Sequence, residues 1–156
     1  MEFDIPQEVI QVRGDMDDLY RVAYNLIDNA VKFTNENGLI QVGVVLNDKK
    51  AFVSVKNSGQ GINAEDIKHV FERFYKSDKS RSLDRTGIGL GLHIVKTILD
   101  MHGEEIWVKS TEGEYCEFVF TIARSGKKEE RQEKKNRLPE GENASGKEES
   151  KKDSEA

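Results

Sequence analysis

The chain has 156 residues, enough for one ordinary domain, with 24 Lys+Arg against 29 Asp+Glu and a formal net charge of −5. The acidic balance argues against general nucleic-acid binding, and no apolar run approaches the roughly 18 residues that span a bilayer. The single cysteine, Cys116, excludes an internal disulfide and any Cys-rich metal site. The charge is unevenly placed. Residues 124–156 hold 10 Lys/Arg and 9 Asp/Glu but only three apolar residues, Leu138, Ala144 and Ala156. Such a segment cannot bury enough apolar surface to offset its ordering entropy, so it is expected to be a disordered charged tail, with residues 1–123 forming the domain.

In chain order, the weak alternation of Glu8–Arg13 predicts a short strand ended by Gly14. Asp15 is a good helix N-cap, Asp17 and Asp18 suit a first turn, and Leu19, Val22, Ala23, Leu26, Ile27, Ala30 and Phe33 recur at helical spacing to about Thr34. Residues 39–46 and 51–57 read as a hairpin around Asn47–Lys50, and Ser58–Gly61 as a sharp turn. Asn63 caps a predicted short helix from Ala64 to about Phe71. Residues 76–87 read as a mobile loop, Leu90–His102 as an apolar helix stopped by Gly103, and 105–110 with 116–122 as a last hairpin. The sum is an α+β chain: a two-layer α/β sandwich with about three helices on one face of a mixed, largely antiparallel sheet.

Three groups of residues can carry chemistry. Asn25, Asn29 and Lys32 project within an arc of roughly 60° beside the apolar face of the first helix. Carboxamide oxygens can ligate Mg²⁺ and an ammonium can pair with phosphate; the alternative is a solvated helix face. Gly87, Gly89 and Gly91 open a helix whose N–H groups and dipole favour an anion, in a spacing that is neither the dinucleotide pattern nor a Walker P-loop. Asn57 ends a strand before Gly59 and Gly61, where it either faces a ligand or completes an ordinary turn. His69, His93 and His102 have no metal-ligand spacing and read as surface or helix-end residues.

Taken together and in order, Asn-x-x-x-Asn-Ala-x-Lys, Asn-Ser-Gly-x-Gly-Ile, Phe-Glu-Arg-Phe-Tyr and Gly-Ile-Gly-Leu-Gly-Leu resemble the ATP-binding catalytic domain of sensor histidine kinases, in the GHKL superfamily. The resemblance covers about residues 5–123. Residues 25–34 look like the N box, 57–62 and 87–92 like the two glycine boxes, and 71–75 like the F box. The fold it implies is the Bergerat α/β sandwich.

The resemblance also implies roles. Asn29 would ligate Mg²⁺, with Asn25 supporting the metal, its water or a phosphate. Lys32 would contact the phosphates, and Phe33 would lie near the nucleotide. Asn57 stands where the family has an adenine-reading Asp, with Gly59, Gly61 and Ile62 shaping the base pocket. Tyr75 ends the F box, and Lys76 takes the place of a phosphate-contacting Arg, with Arg73 a second candidate. Gly87, Gly89, Leu90, Gly91 and Leu92 would frame the phosphates beyond a lid. Asn25, Lys32 and Lys76 are the expected catalytic groups and ATP with Mg²⁺ the expected cofactors. Related ATPases carry Glu at the position of Asn25 to activate water; neutral Asn cannot act as that base, which favours transfer to a side chain over hydrolysis.

No histidine is followed by Glu or Asp, so the phosphoacceptor histidine is expected on a separate dimerisation domain absent from this chain, with a response regulator as an indirect partner. The expected setting is cytoplasmic, either free or as the cytoplasmic part of a membrane-bound sensor. The isolated domain is expected to be monomeric, touching neither membrane nor nucleic acid. The competing expectation is a GHKL-type nucleotide-binding module without kinase activity, or an ATPase.

Overall fold

Helix α1 (Met16–Phe33) begins where Asp15 accepts a hydrogen bond from the Asp18 N–H at 3.0 Å, with Asp17 and Asp18 in its first turn and Lys32 in its last. It ends where the Thr34 hydroxyl donates to the Ala30 carbonyl at 2.5 Å. The computed structural model describes residues 1–76 and 89–125. The expected lid and charged tail fall mainly on 77–88 and 126–156, outside the described residues.

Five strands form one sheet in the order β1-β2-β3-β5-β4: β1 (Glu2–Asp4), β2 (Ile40–Leu46), β3 (Lys50–Ser58), β4 (Ile106–Thr111) and β5 (Tyr115–Ala123). The β1–β2 pair is parallel and the others are antiparallel, giving the expected mixed, largely antiparallel sheet. Asn47 makes the β2–β3 turn by accepting from the N–H groups of Lys49 and Lys50 at 2.9 and 2.7 Å. Helices α2 (Ala64–Ile67) and α3 (Gly91–Met101) join α1 on the helical side.

Val22, Leu26 and Ala30 of α1 and Val95, Ile98 and Leu99 of α3 bury against Val55 of β3 and Cys116, Phe118, Phe120 and Ile122 of β5. The period of the helices and the alternation of the strands deliver these residues to one layer boundary. Each large side chain buried there contributes about 1.5–3 kcal/mol. His102 then ties the two helices end to end: its Nδ1 meets the Ile98 carbonyl at 2.8 Å and its Nε2 accepts from the Asp15 N–H at 3.2 Å.

Two sequence expectations differ from the structure. Residues 8–13 are not a strand; the first strand is Glu2–Asp4, and Val12 makes only an isolated bridge to Arg124. The cause lies at the far end of β5. Strand β4 stops at Ile106, paired with Phe120, which leaves the last residues of β5 open on that side. Arg13 N–H fills the opening by donating to the Ala123 carbonyl at 2.8 Å, and Ser125 N–H donates to Gln11 at 3.0 Å. Helix α2 is also shorter than the expected run to Phe71. Beyond Ile67 the chain closes through i→i+3 bonds, Lys68 to Glu65, His69 to Asp66 and Glu72 to His69, which wind it more tightly than an α-helix.

Candidate functional site

A cleft of about 380 Å³ opens between α1, α2, the N-terminal end of α3 and the ends of β3 and β5. Asn25, Asn29, Lys32 and Phe33 line it from α1, and Gly89, Leu90, Gly91 and Leu92 from the start of α3. Asn57, Gly61 and Ile62 line its other end, and Tyr75 and Lys76 close a side. The structure therefore brings together the residues singled out in the sequence, with three exceptions. Gly59 and Arg73 do not line the cleft, Arg73 lying instead over the Phe74 ring at 4.7 Å, and Gly87 lies outside the described residues.

At one end the site is polar and helix-terminal. Asn25 gives its Nδ2 to the Arg21 carbonyl at 2.8 Å, while its Oδ1 abuts α3: a Cβ added at Gly91 would come within 2.9 Å of it. Glycine at that position is what lets the two helices approach. Lys32 pairs with Asp28 at 2.8 Å, both side chains half-exposed. No hydrogen bond to another described residue occupies the Asn29 carboxamide. Across the cleft, the first residue before α3, Leu90, supplies no side-chain cap, and the first turn holds no acidic residue. The first-turn N–H groups of α3, which no side chain of its N-cap residue meets, and the positive end of the helix dipole therefore border the same space as Lys32, Lys76 and the two carboxamides.

The donor set at this end fits Mg²⁺. That ion takes oxygen ligands, few of them from protein when phosphates supply the rest, and Asn25 and Asn29 offer neutral oxygens beside the N-terminal end of α3. Among the described residues there is no group of three or more His, Cys, Asp or Glu to hold a softer ion.

The other end is narrow and buried. Asn57, 2% exposed, sits directly opposite Cys116 in the β3–β5 ladder. Its Nδ2 donates to the Ser58 carbonyl at 3.2 Å, which leaves Oδ1 as the acceptor available to a ligand. Burial pushes the Cys116 thiol up to about 12, so it stays uncharged. The turn from Gly59 to Ile62 is gripped on both sides. A Cβ at Gly59 would lie 2.2 Å from the Phe33 carbonyl, and one at Gly61, where φ is +62°, 2.1 Å from the Thr111 carbonyl. Ile62 N–H donates to the Ser110 hydroxyl at 2.7 Å. These glycines fit the turn between α1 and the β4–β5 hairpin.

Sequence reasoning did not single out Asp28, Gln60, Asp66, Val70 or Ile94; these five and Cys116 line the cleft. Asp66 carries a legible signal, the spacing of a capping box. Asn63 Oδ1 accepts from the Asp66 N–H at 2.8 Å, and Asn63 Nδ2 donates back to Asp66 Oδ2 at 3.0 Å.

The sequence profile of the histidine kinase-, DNA gyrase B-, and HSP90-like ATPases matches residues 14–126. The chain belongs to this ATPase family. Among curated members it is 36% identical over 121 residues to the sensor histidine kinase WalK of Bacillus subtilis (strain 168), covering 76% of this chain and 20% of WalK. Among solved structures, the mycobacterial sensor histidine kinase MprB superimposes with a TM-score of 0.71 at 29% identity, over 80% of this chain and 84% of that one. The catalytic domain of the histidine kinase ThkA gives 0.68 at 33% identity, over 79% and 78%. This ATPase domain spans about a fifth of the length of the curated relatives it matches. Its relatives by sequence and by fold are sensor histidine kinases, and the fold is that of their ATP-binding catalytic domains.

Proposed function

We propose that the cleft binds Mg·ATP and that the chain acts as an ATP-dependent protein histidine kinase domain. It transfers the γ-phosphoryl group to a histidine on a dimerisation and phosphoacceptor domain of the same signalling protein, which then serves a response regulator. The observation that carries this reading is the pairing of Asn25, Asn29 and Lys32 with the uncapped end of α3 across one cleft, closed at its far end by buried Asn57.

Phosphoryl transfer depends mainly on positioning and on stabilising spread negative charge. Asn57 Oδ1 would accept from the adenine amino group. Lys32, Lys76 and the N–H groups of Gly91 and Leu92 would hold the phosphate oxygens. Asn25 and Asn29 would hold Mg²⁺, which when bound neutralises phosphate charge. Asn25 supplies no basic oxygen to activate water, which supports transfer to an imidazole nitrogen over hydrolysis. Work on cellular ATP assigns the domain to the cytoplasm in this reading.

The test is a nucleotide titration with and without Mg²⁺, followed by mixing with the cognate phosphoacceptor domain. Asn29→Ala is expected to weaken Mg²⁺-dependent ATP binding by at least about tenfold, the scale of one lost charge-assisted contact, with an unchanged melting temperature. Full phosphotransfer by a folded Asn29→Ala variant would sink the assignment.

A further inference from the structure

The hydroxyl of Tyr75 donates to Asp66 Oδ1 at 2.5 Å, and both residues line the cleft. We propose that Asp66 and His69 are positioning residues that grip Tyr75 and fix one wall of the cleft before a ligand enters. The proposal rests on reading the cleft as a nucleotide site.

Asp66 is itself immobilised. Its second oxygen accepts from Asn63 Nδ2 at 3.0 Å and its backbone N–H is bound to Asn63 Oδ1 at 2.8 Å, so its carboxylate has one direction in which to accept from Tyr75. His69 lies three residues further on, on the same side of the turn, and its ring sits against Tyr75 with centroids 5.4 Å apart and planes at 34°. His69 is in turn held by Glu72, whose Oε1 lies 2.7 Å from Nδ1. One residue before Tyr75, Phe74 takes a left-handed conformation with φ +64°, and its N–H donates to the Gly89 carbonyl at 3.0 Å.

A non-glycine residue at positive φ persists only where its surroundings over-determine it. Gly89 could not carry a side chain there, since a Cβ would lie 2.8 Å from the Tyr75 carbonyl. The backbone entering Tyr75 is thus bent by Phe74 and Gly89, its hydroxyl is held by Asp66 of α2, and its ring lies against His69 in the turn that follows. A wall fixed in this way spares the ligand the entropy of ordering it, which appears as affinity.

The experiment titrates AMPPNP with Mg²⁺ into the full chain, into Tyr75→Phe, Asp66→Ala, His69→Ala and into the Tyr75→Phe/Asp66→Ala double variant, with the melting temperature of each ligand-free protein. Tyr75→Phe keeps the ring and removes the hydroxyl that Asp66 holds. It is expected to bind about three- to tenfold more weakly with its melting temperature within about 2 °C of the parent. The double variant is expected to bind no more weakly than the worse single one, because both remove the same contact. Asp66→Asn, which keeps an acceptor oxygen, should recover much of the loss seen with alanine. Parental affinity in Tyr75→Phe, or losses that multiply in the double variant, overturns the grip. Should Asp66→Ala fail to fold, Tyr75→Phe and His69→Ala decide by the same criterion. An unsubstituted chain that binds no nucleotide refutes the reading of the cleft and the grip with it. Binding by that chain with equal binding by Tyr75→Phe refutes the grip alone.

Discussion

Asn57 and Cys116 show how a strand register writes a binding surface. Paired across β3 and β5 and removed from solvent, they place a carboxamide and a thiol side by side at the closed end of the cleft. The thiol is pushed by burial from an ordinary value of 9.0 up to about 12, so around pH 8 its reactive thiolate is about 10³-fold scarcer than in an exposed cysteine. Alkylation by iodoacetamide is therefore expected to run about 10³-fold slower in the native protein than in denaturant, and slower again with saturating Mg·ATP. Equal rates in native and denatured protein would show that the thiol is open to solvent. In sequence, a cysteine in an alternating strand fits a packing position as well as a pocket-facing one; the register with Asn57 brings Cys116 to the cleft. Asn25, Asn29 and Lys32, by contrast, were legible because helical geometry alone fixes their common arc.

The same division holds for whole elements. Helix α1 was readable from its cap, its first-turn acids and its period, all local signals. Strand β1 was not, since three residues ending before Pro6 carry little pattern and gain their partner only from β2. The join of α3 to β4 was half legible. Gly103 stops the helix at φ +68°, with Glu104 N–H returning to the Leu99 carbonyl at 2.8 Å. What the sequence did not disclose is that Glu104 then fastens this join to β3 and β5. Its Oε1 accepts from the Ala123 N–H at 2.7 Å, and its Oε2 from Lys50 Nζ at 2.9 Å and from the Thr121 hydroxyl. Burial pushes the carboxyl upward, but the bonds from Thr121, Lys50 and Ala123 outweigh it and leave the pKa below the ordinary 4.5. A lowered folded-state value means stability that is present above the ordinary carboxylate range and is lost as pH falls through the folded value. Glu104→Gln is expected to cost about 3 kcal/mol at pH 7, a fall of about 10 °C in melting temperature. Melts of both proteins from pH 7 to pH 3 should show the gap closing below about pH 4.5; a gap independent of pH would dissociate the carboxylate's charge from its stabilising role.

At the scale of the molecule, Met1–Ser125 closes as one unit that includes every residue lining the cleft. We propose that the charged segment beyond it contributes nothing to that unit's stability, because its composition offers almost no surface to bury. Removing residues 127–156 is expected to leave the melting temperature within about 1 °C and ATP affinity unchanged. A large drop in either would mean that the segment docks on the body. Strand order has a consequence in time as well as in space. Of the five strands described, β5 is the last in the chain, yet it lies between β3 and β4. Val55 waits for Phe118, more than sixty positions later in the chain, before its face of the sheet is covered. Such distant pairing is slow, because the intervening loop must close before any contact rewards it. A nascent chain halted before Tyr115 therefore has both carboxamides of α1 and the turn at Gly59–Gly61 but no floor beneath them, and nucleotide cannot rescue it. The site therefore exists only once β5 has joined the sheet, and until then the apolar faces of α1 and β3 lack the strand that covers them.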